Sequence, residues 1–198
     1  MLIGFFKKVV VADLLAVYVN AVYNSPSEAT GFGVLIATIL FAFQIYCDFA
    51  GYTDIAIGCA EVMGIQLMQN FNRPYISESI QEFWRRWHIS LSSWFRDYIY
   101  FPLGGSRCKK WRHLLNICIV FFISGLWHGA AWTFIIWGLY FAVFLCIEKL
   151  FLLKVLEKSK ILNRIYILVV IGISFVIFNA TDMGEAARYI AAMFGFGG

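Results

Sequence analysis

Charge is what this chain has least of. Only 14% of its 198 residues are Asp, Glu, Lys or Arg, whereas a soluble domain carries about 25%. Hydrophobic residues make up 61% of the chain, and the mean hydropathy is +0.74. These values argue against a soluble globular domain and indicate an integral membrane protein.

Paired cysteines of the metal-binding or disulfide type are also missing. The five cysteines, none of which forms a CxxC pair, are Cys47, Cys59, Cys108, Cys118 and Cys146. Three of them lie in apolar segments. This spacing argues against a disulfide framework and a zinc cluster, and it predicts small apolar core residues. No metal site is predicted.

The N-terminus lacks the pattern of a secretory signal peptide. Lys7 and Lys8 follow the first apolar residues, and no small-residue cleavage site follows an apolar region. No internal repeat or low-complexity segment is present. We expect the chain to begin in the middle of a larger fold.

The longest uncharged run, Leu114–Ile147, has 34 residues. As one helix it would be about 51 Å long, although the hydrocarbon core of a bilayer is only about 30 Å thick. The run therefore predicts two apolar helices that meet near Gly125–Gly129, with His128 at their junction.

His128 is the residue of this run that calls for a functional hypothesis, because an ionisable side chain at membrane depth is expensive. Neutral imidazole is a common general base near pH 7, and Gly125 and Gly129 would let a substrate approach. Alternatively, the histidine hydrogen-bonds two helices that the glycines allow to pack closely. The residues alone leave both interpretations open.

A second informative segment, Ile76–Tyr100, mixes aromatic and basic residues. This mixture predicts amphipathic helices at the membrane interface and argues against a nucleic-acid surface. His88 is then an interfacial anchor or a functional residue. The bases Arg85, Arg86 and Arg96 attract a phosphorylated donor such as a coenzyme A thioester, or they simply provide the positive-inside signal.

Three further ionisable residues are ambiguous. Asp48 and Asp54 flank Gly51 beside an apolar segment, where they either orient a histidine and line a polar cavity or serve capping and turn chemistry. His113 lies in a basic loop, and we expect it to be solvated.

The apolar segments predict about five spanning helices, which are Leu2–Tyr23, a segment starting at Gly31, the two arms of Leu114–Ile147, and Ile161–Phe178. The positive-inside rule places the Lys- and Arg-rich segments in the cytoplasm. By the same rule Asn24–Thr30 and Asn179–Glu185 lie outside, and Ile76–His113 lies along the cytoplasmic face.

Four stretches carry a family resemblance. They are QIYCDFAGYTDIAIG (Gln44–Gly58), FNRPY (Phe71–Tyr75), EFWRRWHISLSSWFRDYIYFPLGGSR (Glu82–Arg107) and GLWHGAAWTFIIWG (Gly125–Gly138). Together they resemble the membrane-bound O-acyltransferase family. The YFPLGGSR ending is similar to the bacterial alginate O-acetyltransferase branch. The peptidoglycan O-acetyltransferase group is equally close, and D-alanyl transfer proteins usually depart from that ending.

The resemblance implies an all-α, multi-pass enzyme of the bacterial inner membrane, with helices in a ring around a central cavity. Residues 1–198 would be a partial domain that lacks the family's N-terminal helices and last portion. His128 matches the histidine of the family's WHG motif, and His88 matches the histidine of its RWHISL motif. Both are therefore expected to be catalytic.

The implied reaction is acetyl transfer from a cytoplasmic thioester, such as acetyl-CoA, with no bound cofactor. The acceptor would be a hydroxyl of an exported, alginate-like polysaccharide or of a partner protein outside the membrane. One alternative is acylation of peptidoglycan or teichoic acid by the same chemistry. Others are a proton-coupled transporter fragment, in which His128 and the two aspartates carry protons, and an inactive truncated product.

Overall fold

The structure is a computed structural model that describes residues 1–24, 30–156 and 158–196, and every regular element in those residues is helical. In chain order the α-helices are α1 (Leu2–Phe5), α2 (Asp13–Tyr23), α3 (Gly31–Val62), α4 (Ile80–Arg86), α5 (Ile89–Phe95), α6 (Lys110–His128), α7 (Trp132–Ile147), α8 (Leu153–Leu156), α9 (Lys160–Asn179) and α10 (Met183–Met193). The predicted all-α class is confirmed.

Shorter elements join several of these helices. Three segments are π-helical, and one turn is a 3-10 helix; they are Phe6–Ala12, Arg96–Tyr100, Glu148–Leu152 and Pro74–Ile76. The chain divides into two compact units, residues 1–70 with 179–198, and residues 71–178. Most of the predicted outer loop Asn24–Thr30 lies outside the described residues.

Two described helices are long and apolar enough to cross a membrane. They are α3, with a mean hydropathy of 1.8 over its most apolar window, and α9, with 2.3. The helix α9 matches the predicted span Ile161–Phe178. The predicted total of five spanning helices stays a prediction.

In the first unit, α1 and α2 pack along α3 at a glycine contact. A Cβ atom on Gly4 would lie 2.7 Å from the carbonyl oxygen of Gly51, and a Cβ on Gly51 would lie 2.7 Å from that of Gly4. No side chain fits at either position. Of the two interpretations of Asp48 and Asp54, turn chemistry around Gly51 is wrong, because α3 runs through this position without interruption.

Two ion pairs flank this glycine contact. Lys7 Nζ lies 2.7 Å from Asp54 Oδ2, and Lys8 Nζ lies 2.5 Å from Asp48 Oδ1. Both lysines belong to the π-helical segment Phe6–Ala12. The two aspartates therefore neutralise lysines within a largely apolar helix pair, where unpaired charges are costly.

In the second unit, α6 and α7 form the predicted hairpin, with a break at residues 129–131. The helices touch backbone to backbone. A Cβ on Gly138 would lie 2.2 Å from the Phe121 carbonyl oxygen, and a Cβ on Gly125 would lie 2.4 Å from that of Phe134. This contact is the close packing at Gly125 that one of the two interpretations of His128 expects.

The aromatic residues of Ile76–Tyr100 separate into two groups. Phe83 and Trp87 are buried, with 2% and 8% of their surface exposed, whereas Trp94 and Tyr98 are exposed. The prediction of interfacial aromatics is therefore wrong for the first pair, which belongs to the core of the second unit.

The YFPLGGSR segment is a tight turn held by the buried Asn116. Its Nδ2 donates to the carbonyl oxygens of Leu103 and Gly105, at 3.1 Å each. Gly104 and Gly105 have φ angles of +102° and +56°, a region that L-residues with a side chain rarely adopt. The two glycines are thus required by the turn itself.

The hairpin contact makes a testable prediction. In Gly138→Ala, the added methyl group collides with the α6 backbone, and overpacking of this kind costs about 1–3 kcal/mol. We expect the thermal midpoint of the purified protein in detergent to fall by several degrees. In the control Gly33→Ala, the methyl group meets only Thr30 Oγ1, at 3.1 Å. Equal midpoints for the two variants would contradict the prediction.

Candidate active site

His128 is the last residue of α6, immediately before the hairpin break. Its partly buried imidazole lies among aromatic rings, with centroid distances of 5.0 Å to Trp137 and 5.3 Å to Phe178. A Cβ on Gly129 would lie 2.7 Å from the ring of Phe134, which itself lies 6.3 Å from His128. The absence of a side chain at Gly129 therefore permits this aromatic enclosure.

His88 occupies the turn between α4 and α5. Its φ angle is +43°, and left-handed residues other than glycine recur at functional sites. Burial, together with the nearby His128, lowers the pKa of His88 to about 4. The imidazole is therefore neutral at physiological pH, and it can act as a neutral hydrogen-bond donor or acceptor.

Both histidines meet the same tryptophan. The ring of Trp127 lies 5.0 Å from His128 and 6.3 Å from His88. Thus the second unit alone brings together the two histidines that the sequence singled out.

A cavity of about 380 Å³ lies in the same unit. Its lining combines three cationic side chains, four other polar side chains, a histidine, four aromatic side chains and four aliphatic side chains. Among the described residues, no carboxylate lines it. The cationic members are Arg85, Arg96 and Lys149. Trp84 and Ser124 also line it, and Ser124 lies one helical turn before His128 on α6. Neither His88 nor His128 is among the lining residues.

The three candidate donor-binding arginines differ in position. Arg85 and Arg96 line the cavity, and Arg96 also binds the neighbouring Asp97, with its Nε 2.7 Å from Oδ1. Arg86 instead pairs with Glu82 at 2.7 Å and donates to the Asn72 carbonyl oxygen at 3.2 Å. Its guanidinium is therefore occupied by protein groups.

His113 is part of this cavity wall. Its Nε2 lies 2.9 Å from the Tyr100 hydroxyl, and its side chain is partly buried. The expectation that His113 is merely solvated is wrong.

The start of α4, the helix that leads to His88, is held by Glu148, which belongs to none of the motifs in the sequence. Glu148 is 2% exposed, and it accepts hydrogen bonds from the backbone N–H groups of Ile80 (2.6 Å) and Gln81 (3.2 Å) and from the Tyr166 hydroxyl (3.1 Å). Burial raises the pKa of Glu148, and these donors oppose that shift. Its position directly after the uncharged run was the available signal.

The structure also bears on metal and cysteine chemistry. Within residues 1–24, 30–156 and 158–196, no three His, Cys, Asp or Glu side chains are grouped to hold a metal ion. All five cysteines are free thiols, and Cys59 is the exposed one.

Comparison with known proteins identifies the family. The sequence profile of the membrane-bound O-acyltransferase family matches residues 2–182. The chain belongs to this family. As a membrane-bound O-acyltransferase family member it is a membrane protein, in agreement with its composition and its two long apolar helices.

Curated relatives share this family membership. The chain is 43% identical, over 98% of its length, to the "Probable alginate O-acetylase AlgI" of Azotobacter vinelandii. It is 44% identical, again over 98%, to the protein of that name from Pseudomonas aeruginosa, and 38% identical over 99% to the "Peptidoglycan O-acetyltransferase" of Helicobacter pylori. The matches cover 39%, 37% and 38% of these relatives, so the chain spans about two fifths of their length.

The anchoring role of the buried Glu148 carboxylate can be tested by substitution. In Glu148→Ala, two backbone N–H groups and a hydroxyl lose their acceptor, at about 1–3 kcal/mol for each unsatisfied group. In Glu148→Gln, the amide oxygen still accepts from Ile80. We therefore expect alanine to lower the thermal midpoint more than glutamine, with the exposed Glu61→Ala as a neutral control. Identical midpoints for alanine and wild type would contradict the anchoring role.

Proposed function

We propose that the protein transfers an acetyl group from a thioester donor to a hydroxyl of an exported, alginate-like polysaccharide or of a protein partner outside the membrane. His128 acts as the general base and His88 positions the substrate. The observation that carries the proposal is the pairing of these two histidines around Trp127, in a chain of the membrane-bound O-acyltransferase family.

The reaction needs one proton acceptor at the hydroxyl. His128 takes the hydroxyl proton while the oxygen attacks the carbonyl carbon of the thioester. The new C–O bond forms, the C–S bond breaks, and the proton passes from His128 to the departing sulfur. His88, neutral because its pKa is about 4, holds the hydroxyl or the acyl group by a hydrogen bond.

The cavity is the proposed donor site. Acetyl-CoA, or another acyl thioester on a phosphorylated carrier, presents phosphates that suit Arg85, Arg96 and Lys149. Its pantetheine arm suits the apolar lining, which includes Phe121 and Leu145. The donor is a substrate, and the proposal involves no resident cofactor or metal.

We also propose how the chain is placed in the membrane. Residues 1–198 form one part of the family's helical domain in a bacterial inner membrane, with spans at residues 2–23, α3, α6, α7 and α9. The amphipathic helices α4 and α5 lie on the cytoplasmic side. Low charge, the two long apolar helices and the distribution of Lys and Arg support this arrangement.

A second acceptor has an observation in its favour. The 38% identity to the Helicobacter pylori peptidoglycan O-acetyltransferase supports acetylation of peptidoglycan by the same chemistry. The greater identity to the alginate O-acetylases makes alginate-like polysaccharide the first choice.

The test of the base is His128→Ala. We expect acetyl transfer from labelled donor to polysaccharide, in membranes of cells that express the complete reading frame, to fall at least 100-fold, in line with general-base contributions. The amount of protein in the membrane stays unchanged, which is checked by immunoblot. Near wild-type transfer would refute the proposal, and acid-dependent uptake without any transfer would favour the transporter alternative.

The test of the donor site compares two adjacent arginines. Arg85→Ala removes a cation of the cavity, and charge-assisted bonds of this type are worth about 1.5–3 kcal/mol. We expect the KM for the donor to rise about tenfold or more, with little change in kcat. In the control Arg86→Ala, a charge outside the cavity is lost, and the KM stays near its wild-type value. An equal rise in both variants would show that net charge, not the cavity, governs donor affinity.

A further inference from the structure

Trp137 has a buried hydrogen-bond donor for which the described residues provide no acceptor. Its side chain is 5% exposed, and its indole Nε1 has no hydrogen-bond partner among the described residues. A buried N–H group left unpaired costs about 1–3 kcal/mol, and such groups are rare in folded proteins. An unpaired donor of this kind therefore needs an explanation.

The position of Trp137 ties this donor to the candidate base. Its ring packs edge to face against the imidazole of His128, with a centroid distance of 5.0 Å and an interplanar angle of 85°. Trp137 directly precedes Gly138, where α7 touches the backbone of α6. The glycine contact thus sets how close the indole comes to His128.

A second tryptophan connects Trp137 with the cavity. Trp84 lines the cavity, and its ring lies 5.8 Å from that of Trp137 in an edge-to-face contact. The Nε1 of Trp84 is likewise buried without a partner among the described residues. Trp84 therefore links the cavity wall through Trp137 to His128 by a series of ring contacts. Trp137 and His128 do not themselves line the cavity.

Acyl transfer at His128 would be favoured by a hydrogen-bond donor beside the reacting carbonyl group. When a hydroxyl attacks a thioester, the carbonyl oxygen gains negative charge, and donors fixed at that oxygen in a dry site lower the barrier. An indole N–H donates but does not accept a hydrogen bond, so it does not compete with His128 for the proton. Rings with few polar groups surround it, which keeps the effective dielectric constant low.

We propose that Trp137 is a catalytic residue whose indole N–H donates a hydrogen bond to the carbonyl oxygen of the acyl donor at His128. This role rests on the proposed acyl transfer. His128 accepts the hydroxyl proton and Trp137 stabilises the oxyanion that forms as the C–O bond is made. The bond from Trp137 weakens again when the C–S bond breaks and the carbonyl is restored.

The competing explanation is structural. An N–H group that points at the face of a neighbouring ring gains a weak interaction, and Trp137 would then serve packing only. The two explanations differ in what happens when the N–H is removed and the ring is kept.

The experiment replaces Trp137 by 3-benzothienylalanine, introduced site-specifically, in which sulfur takes the place of the N–H group and the ring shape is retained. We expect kcat for acetyl transfer to fall on the order of 100-fold, as for the loss of one oxyanion donor. The KM for the donor and the thermal midpoint stay near wild type. Trp137→Phe serves as a second variant, and the exposed Trp132→Phe on the same helix serves as the control.

Wild-type kcat in the benzothienylalanine protein would overturn the role of Trp137. His128→Ala, measured in the same assay, separates the two proposals. If His128→Ala is inactive while benzothienylalanine at position 137 is fully active, only the role of Trp137 falls. If wild type transfers no acetyl group, or His128→Ala retains activity, the proposed function falls and the role of Trp137 falls with it.

Discussion

The contact between Gly125 and Gly138 is the constraint on which the second unit depends. At this point the Cβ position of Gly138 lies 3.2 Å from the Cα of Gly125, so the two helices are separated by backbone alone. Helices that approach this closely in a membrane gain van der Waals packing, which replaces the hydrophobic driving force that lipid cannot supply. Everything that surrounds His128 on α7, from Phe134 to Trp137, is placed by this contact.

A polar counterpart to this apolar contact lies at the other end of the hairpin. There Glu148 accepts from the first turn of α4 and from Tyr166 of α9. One carboxylate therefore joins three segments that are far apart in the chain. The hairpin aligns the residues beside His128, and Glu148 fixes the start of the helix that leads to His88. The candidate site results from both constraints, one between α6 and α7 and the other between the end of the hairpin, α4 and α9.

The hairpin and the position of His128 at its break could be predicted from the sequence. The length of the uncharged run required a hairpin, and the run's only histidine stood at its break. The anchoring by Glu148 and the proposed role of Trp137 cannot be predicted in this way, because both depend on which partners the folded chain brings near. The same holds for Asp48 and Asp54, whose lysine partners precede them by 40 and 47 residues. Trp87 lies in the segment Ile76–Tyr100, whose mixture of basic and aromatic residues predicts a position at the membrane interface, although its neighbours in space are aromatic.

The π-helical segment Phe6–Ala12 gives the two ion pairs of the first unit an unusual basis. Consecutive residues of an α-helix point about 100° apart, yet Lys7 and Lys8 both reach carboxylates on α3. A π-helical turn holds more residues than an α-helical turn, so consecutive side chains are separated by a smaller angle in this segment. What encodes the charge pairing is thus the number of residues in this segment as well as their identity. Loss of a single residue there would change the register of the two lysines against either Gly4 or α2, while leaving every charged side chain in the sequence intact.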